Sequence, residues 1–241
     1  MDSGWMIGTA ILIMGLVAVC VIQWVQNQKL KEKNREMEEQ LRETDMSIML
    51  SQIQPHFLYN SLSAIRELCL EDLEEAPRAL EEFSAFLRGN MDSLRSKVPV
   101  PFSRELEHVK HYLHLEQIRF GNDLRVEYDI REEDFFLPTL TIQPIVENAV
   151  KYGVGNKEEG GTVRISTCRE GEKIVITVED DGIGFDVDEI EHIPVQKDGR
   201  THIGLSNVKH RLKKMVNGTM TIHSRRETGT IVRITLDAEH R

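Results

Sequence analysis

The fold of the C-terminal half of this 241-residue chain is decided at residues 174–185, which read IVITVEDDGIGF. Residues 174–178 are apolar and β-branched, which is typical of a buried strand. The strand is predicted to end at Asp180, and Gly182 and Gly184 follow it. Glycines at this spacing let the backbone approach a flat ligand, while a carboxylate accepts a hydrogen bond from an exocyclic amine. Alone, the pattern is weak evidence, because ordinary turns use the same residues.

A second glycine motif lies downstream, where residues 203–207 read IGLSN. We predict that it opens a helix over residues 205–216. Gly204 and Leu205 would then lie at a helix N-terminus, where free backbone N–H groups favour phosphate. The segment 186–200 between the two motifs is predicted to be a mobile lid, or alternatively a short helix.

Upstream, residues 141–152 have helical spacing, with an apolar face and a polar face. Glu147, Asn148 and Lys151 lie on the polar face. Magnesium prefers oxygen ligands, and the side-chain carbonyl of Asn148 can supply one. Lys151, about one turn further on, would meet phosphate charge. An ordinary amphipathic helix would show the same pattern.

The remaining chain divides near Phe120 into a helical part and an α/β part. Strands are predicted at residues 124–130, 162–168, 173–180, 219–224 and 230–236. Helices are predicted at residues 47–70, 74–94 and 103–120. Ser103 is the expected N-cap of the last of these, with Glu105 and Glu107 in its first turn.

The first of these helices contains the sequence SQIQPHFLYN at residues 51–60. At helical spacing, His56 shares a polar stripe with Gln52, Asn60, Ser63 and Glu67, apart from an apolar stripe of Leu58, Leu62, Ile65 and Cys69. Pro55 is expected to kink the helix beside the imidazole. A packed core histidine is the common alternative, but the polar stripe favours an accessible nucleophile.

The N-terminus contains an uncharged apolar run at residues 5–25, which as a helix would span about 32 Å, enough to cross a bilayer. No basic segment precedes it, which argues against a cleaved signal peptide. The lysines that follow predict a cytoplasmic C-terminal part. Residues 26–50 are predicted to form a short coiled coil, with a solvated linker helix as the alternative.

Composition excludes several functional classes. The net charge of −10 argues against general nucleic-acid binding, because such proteins usually carry a basic face. The 3 cysteines are far apart and indicate neither a disulfide framework nor a zinc site.

Taken in order, these motifs resemble those of the LytS/YesM type of sensor histidine kinase, within the GHKL ATP-binding superfamily. The resemblance runs from about Ser51 to Leu236. It matches QIQPHFLYN to the phosphoacceptor motif, QPIVENAVKYG to the N box, DDGIGF to the G1 box and HIGLSNVKHRL to the G2 box.

The resemblance implies roles for individual residues. His56 would be phosphorylated, Asn148 would hold Mg²⁺, and Asp180 would recognise the adenine of ATP. The remaining implied pocket residues are Glu147, which we also expect to be catalytic, Lys151, Gly182, Gly184, Gly204, Leu205 and Thr230. Phe57 follows His56 where many other histidine kinases carry an acidic base. Asn60 is expected to orient the imidazole, and no general base is identified.

The implied fold combines helices with an α/β part, in four segments. A single transmembrane helix (1–25) and a coiled-coil linker (26–50) are followed by a helical dimerisation and phosphoacceptor domain (51–120). The last segment is an α/β sandwich, Bergerat-type ATP-binding domain (121–241). The expected protein is a single-pass, membrane-anchored homodimer, with its catalytic part cytoplasmic, that transfers phosphate to a response regulator. Its signal would arrive through the span, the coiled coil or a membrane partner.

Two other interpretations fit parts of the pattern. A GHKL ATPase that uses ATP for conformational gating would not need the QIQPHFLYN helix. A non-catalytic docking relative would not need an intact Asn148, Asp180 and pocket glycines.

Overall fold

A computed structural model describes residues 23–24, 27–29, 31, 33, 55–96, 98–186 and 200–238, without the side chains of residues 94, 95 and 200–204. The chain divides by its contacts into two units, Met1–Gln52 and Ile53–Arg241. The few described residues of the first unit are helical. Within the described ranges no helix combines the length and apolar character that a membrane crossing requires. Most of the predicted span (5–25), of the coiled coil (26–50) and of the lid (186–200) lies outside the described residues.

Three helices form the first part of the second unit: α1 (Pro55–Glu71), α2 (Glu75–Arg95) and α3 (Phe102–Phe120). They pack around aromatic rings. The Phe57 ring lies 4.8 Å from that of Phe86 and 5.1 Å from that of Tyr112, centroid to centroid. Such tilted pairs add to the burial of apolar area. The ring next to His56 is therefore fixed in the core, which anchors the histidine's end of α1.

The predicted strands are confirmed within one or two residues. They are β2 (Leu124–Ile130), β4 (Gly161–Glu170), β5 (Lys173–Asp180), β6 (Thr219–Arg225) and β7 (Gly229–Asp237). They form one mixed sheet in the order β2-β4-β5-β7-β6, in which only the β2–β4 pair is parallel. Two short strands, β1 (Val100–Pro101) and β3 (Phe136–Leu137), pair separately.

Two helices pack on the five-stranded sheet. Helix α4 (Gln143–Asn148) continues as a π-helical turn, Ala149–Gly153, which contacts β5 and β7. Helix α5 (Arg200–Val216) packs against β6 and α4. The buried apolar side chains on the helical layer are Ile142, Ile145, Val146, Val208, Leu212 and Val216. Those of the central strands are Ile165, Ile176 and Ile234. The result is a two-layer α/β arrangement.

Three local predictions are wrong. Helix α3 begins at Phe102 after Pro101, so Ser103 is not its N-cap. Glu105 does lie in the first turn, as predicted, but its side chain is buried. Helix α5 begins at Arg200, so Gly204 and Leu205 lie in its second turn. The N–H of Gly204 is therefore not among the four free donors of the helix start.

The third wrong prediction is the apolar stripe on α1. Its buried face consists of Phe57, Ser61 and Ile65, whereas Leu62 and Cys69 are exposed. Phe57 takes this place because its ring joins the aromatic cluster. Helix α1 is described from Pro55 onward, so the predicted kink lies at the edge of the described residues.

Candidate functional site

Asp180 ends strand β5 with a buried carboxylate. The backbone N–H of Gly182 donates to its Oδ1 (3.0 Å), and the backbone and hydroxyl of Thr230 also donate to it. Burial is the main cause that raises the pKa of Asp180 to about 6, against the lowering effect of these donors. A buried carboxylate with a remaining lone pair is suited to accept a hydrogen bond from a ligand amine.

Three glycines bring the backbone close to this carboxylate. A Cβ on Gly182 would lie 2.1 Å from the carbonyl carbon of Gly153, and a Cβ on Gly229 would lie 1.9 Å from the carbonyl oxygen of Asp180. No side chain can be added at these positions without moving backbone. The G1 segment is therefore held between the end of the N-box helix and the start of β7.

A hydroxyl network closes the far side of the G1 segment. The N–H of Phe185 donates to Ser224 Oγ (2.9 Å), and Ser224 Oγ lies 3.0 Å from Thr230 Oγ1. Thr230 pairs with Asp180 across β5 and β7. Thr230, one of the implied pocket residues, thus lies directly against Asp180.

The N-box residues lie where α4 changes into the π-helical turn. Asn148 is the last α-helical residue and is half-buried, and Lys151 is exposed in the π turn, its Nζ 4.7 Å from the centre of the Tyr152 ring. Glu147 Oε1 accepts a 2.7 Å hydrogen bond from Gln143 Nε2. π turns inside α-helices are frequent at functional sites because they turn successive side chains out of the regular spacing.

His56 is exposed at the start of α1. The side-chain amide of Asn60 lies against its ring, 3.1 Å from Nδ1 and 3.4 Å from Nε2. In this arrangement the amide N–H donates to Nδ1. A half-turn of the amide would present its oxygen and accept Nδ1–H, which would leave Nε2 free. Asn60 can therefore set which ring nitrogen carries the proton.

One cavity of about 420 Å³ joins the two predicted clusters. His56 and Asn60 line it from α1, and Glu147 and Lys151 line it from the N box. Its other lining residues are Phe57, Phe86, Tyr112, Glu116, Arg119, Phe120, Gly155 and Asn156. The structure thus brings four of the predicted site residues together around one space. Asp180, Gly182, Gly184 and Thr230 form the second group, and Gly204 and Leu205 lie in α5.

Glu116, which the sequence analysis missed, is a buried carboxylate in this cavity. Its Oε2 is 2.8 Å from an Arg119 guanidinium nitrogen. The pKa of Glu116 is raised to about 7, mainly by burial. The charge of Arg119 lowers this pKa, and the charge of Glu147 raises it. The sequence signal was present, because Glu116 follows Tyr112 and Leu113 at helical spacing on the apolar face of α3.

Glu105 is a second missed carboxylate, also on the buried face of α3. It accepts the backbone N–H groups of Leu140 (2.8 Å), Thr141 (2.9 Å) and Ile142 (3.3 Å), just before α4. Arg211 of α5 donates to the carbonyl oxygens of Thr139 (2.7 Å) and Leu140 (2.8 Å). Leu140 has φ +54°, the left-handed region that costs a branched residue energy. These bonds from both helices hold it there.

Comparisons with known proteins agree with the two parts of the fold. The family model "Histidine kinase" matches residues 44–124, and "Histidine kinase-, DNA gyrase B-, and HSP90-like ATPase" matches residues 136–240. The chain is 38% identical to the uncharacterized protein YwpD of Bacillus subtilis, over 78% of this chain and 68% of YwpD.

Named kinases are among the relatives. Identity to the sensor histidine kinase YpdA of Escherichia coli is 34%, over 89% of this chain and 38% of YpdA. Identity to the sensor histidine kinase YesM of Bacillus subtilis is 31%, over 86% of this chain and 36% of YesM. The chain thus spans little more than a third of the length of these two kinases.

The chain belongs to the LytS/YesM family of sensor histidine kinases. The cavity that holds His56 is lined by residues from both of the regions that the family models match. His56 and Glu116 come from the histidine-kinase region, and Glu147 and Lys151 come from the ATPase region.

Proposed function

We propose that this protein is a membrane-anchored, homodimeric sensor histidine kinase that phosphorylates its own His56 and passes the phosphoryl group to an aspartate of a response regulator. The observation that carries the proposal is the shared cavity, in which an exposed imidazole faces N-box side chains. A gating ATPase would have no use for a histidine at this place.

The reaction begins at a ring nitrogen of His56. Its lone pair forms a bond to the γ-phosphorus of ATP, the bond from that phosphorus to the β–γ bridging oxygen breaks, and ADP leaves with the electron pair. Catalysis of such a transfer is mostly positioning and charge neutralisation. Asn60 would orient the imidazole, and Lys151 would meet the charge of the phosphates.

The residues present fit ATP and Mg²⁺. The buried Asp180 carboxylate suits the amino group of adenine. The glycine-only contact between Gly153 and Gly182 lets the G1 backbone pack closely against the N-box turn beside that carboxylate. Among the described residues no group of three or more His, Cys, Asp or Glu side chains could hold a metal ion. Asn148 and phosphate oxygens would therefore be the Mg²⁺ ligands, and the bound ion would neutralise phosphate charge.

An exposed apolar surface on α1 supports dimerisation. It consists of Tyr59, Leu62 and Leu70, together with Leu73 just beyond the helix, which are 51–83% exposed. Large apolar side chains grouped in this way mark interaction sites. We assign this surface to the second copy of the chain, as the helical domain at residues 51–120 implies. The proposal also includes the predicted transmembrane helix at residues 5–25 and the predicted lid at residues 186–200.

Incubating the full chain with γ-labelled ATP and Mg²⁺, beside His56→Ala and Asn148→Ala, tests the proposal. We expect label on the wild type alone, stable to base and lost in acid. Ser63→Ala, an exposed change on the same helix, is the matched control and should label normally. Label that survives in His56→Ala would move the acceptor elsewhere. ATP binding without any label would favour the gating ATPase.

A further inference from the structure

The proposed transfer requires a proton acceptor for His56. A neutral imidazole carries one N–H and attacks through its other nitrogen, so the phosphorylated ring is cationic until that N–H loses its proton. Phe57, the next residue, cannot accept it. Another group that lines the cavity can therefore take this role.

Two carboxylates line that cavity, Glu116 and Glu147. Glu116 lies on α3, the helix that packs directly against the histidine's end of α1. The Phe57 ring contacts that of Tyr112, one turn before Glu116. Glu147 belongs to the N box, next to the proposed Mg²⁺ ligand Asn148, and its Oε1 is already hydrogen-bonded to Gln143.

The electrostatic surroundings of Glu116 suit a base near neutral pH. The groups that line the cavity with it are His56 from α1, Tyr112 and Arg119 from α3, and Glu147 and Lys151 from the N box. Burial raises the pKa of Glu116 to about 7, helped by the charge of Glu147 and opposed by Arg119. A carboxylate with this pKa is substantially ionised at pH 7 and returns its proton to water readily.

We propose that Glu116 is the general base of His56 phosphorylation. As the bond between nitrogen and phosphorus forms and ADP leaves, the remaining imidazole N–H gives its proton to the Glu116 carboxylate, directly or through one water. The products are a phosphohistidine with an uncharged ring and an anionic phosphoryl group, ADP, and a carboxylic acid that later loses its proton to solvent. This inference rests on the proposed function.

The test compares the full-length wild type with Glu116→Gln, which keeps an acceptor for Arg119 but cannot take the proton. Glu107→Gln, an exposed change on the same helix, is the matched control. ATP affinity and the initial labelling rate are measured for each protein between pH 6 and pH 8. Using the ratio of wild-type to variant rates cancels the pH dependence of His56 itself.

We expect Glu116→Gln to bind ATP like the wild type and to label about 100-fold more slowly at pH 8. The rate ratio should rise roughly tenfold from pH 6 to pH 8, as Glu116 ionises in the wild type. Glu116→Asp, which keeps a carboxylate, should recover part of the rate. A purely structural role would not produce a pH-dependent ratio.

Two outcomes would overturn the assignment of Glu116. One is a Glu116→Gln labelling rate within about threefold of the wild-type rate, with a ratio of the two rates that does not change between pH 6 and pH 8. The other is a loss of ATP binding that accounts for the whole loss of label. Absence of label on wild-type His56 is a different failure: it overturns the proposed function, and this inference with it.

Discussion

Gly153 lies so close to the Asp180 carboxylate that a Cβ on Gly153 would come within 2.4 Å of Asp180 Oδ1. The N-box segment and the G1 carboxylate are therefore in contact through a position that only glycine can fill.

Gly153→Ala should accordingly displace Asp180 or the π turn and weaken ATP binding at least tenfold, the equivalent of about 1.4 kcal/mol. Titration with ATP, followed by calorimetry, measures this. Glu172→Ala is the control, because it is an exposed change in the turn between β4 and β5 and leaves the glycine there in place. Equal ATP affinity in both variants would show that the Gly153 contact does not matter for the nucleotide.

Asp180→Asn should abolish ATP binding without destabilising the fold at pH 7. The pKa of Asp180 is raised from 3.8 to about 6, so the folded state holds the proton more tightly than the unfolded state. Stability therefore falls as the pH rises from about 4 to about 6, by at most roughly 3 kcal/mol. The asparagine of Asp180→Asn does not titrate, so the stability of this variant should not fall for this reason over the same pH range.

Urea unfolding at pH 5 and pH 7.5 checks this sign. The difference in the free energy of unfolding, variant minus wild type, should increase with pH. A variant that is less stable at pH 7.5 than at pH 5, relative to the wild type, would contradict it.

Glu105→Ala should lower the free energy of unfolding by about 3 kcal/mol. It removes a carboxylate that accepts three backbone N–H groups, and a buried donor without a partner costs about 1–3 kcal/mol. Denaturant unfolding measures the loss. Glu107→Ala, exposed on the same helix, should change stability by no more than about 0.5 kcal/mol. Similar losses in the two variants would remove the special role of Glu105.

Asn60→Ala should slow labelling of His56 roughly fivefold to tenfold, the value of one hydrogen bond of about 1 kcal/mol. The reason is that the imidazole then loses the amide that fixes its rotamer and tautomer. ATP affinity should not change, because Asn60 belongs to the helical part. Glu67→Ala, further along the same helix, is the control; an equal slowing there would point to a general effect on α1.

The double substitution Leu62→Glu and Leu70→Glu should convert the dimer to monomers. Charge on the exposed apolar surface of α1 would be desolvated in a dimer, which is costly, but stays hydrated in a monomer. Sedimentation velocity measures the change, and circular dichroism confirms folding. Glu67→Lys, also exposed on α1, is the control. A double variant that remains dimeric would locate the dimer contact elsewhere.

Much of the sheet was predictable because its strands carry strong local patterns. Strand β5 was predicted at its observed bounds, since residues 173–180 end in a charged pair followed by glycines. The helix starts were harder to predict. Helix α5 begins at Arg200, ahead of the G2 glycine, and residues 200–203 between Gly199 and Gly204 contain neither glycine nor proline to stop a helix.

The sequence named candidate site residues one by one, but it could not show which of them line the same cavity. His56 and Glu147 are far apart in sequence, and only the packing of α1 against α3 and the N box brings them to one cavity. Glu105 and Glu116 had a sequence signal, a charge on an apolar stripe. Their roles depend on tertiary partners such as Thr141 and Arg119, which no local pattern encodes.

The left-handed backbone at Leu140 is a point to which three helices are connected. Glu105 of α3 accepts its N–H, Arg211 of α5 donates to its carbonyl oxygen, and α4 begins three residues further on. A displacement of α3 would therefore act on the segment that joins it to both α4 and α5. A change in the helical part would then reach the N-box helix and the G2 helix through the same short stretch of backbone.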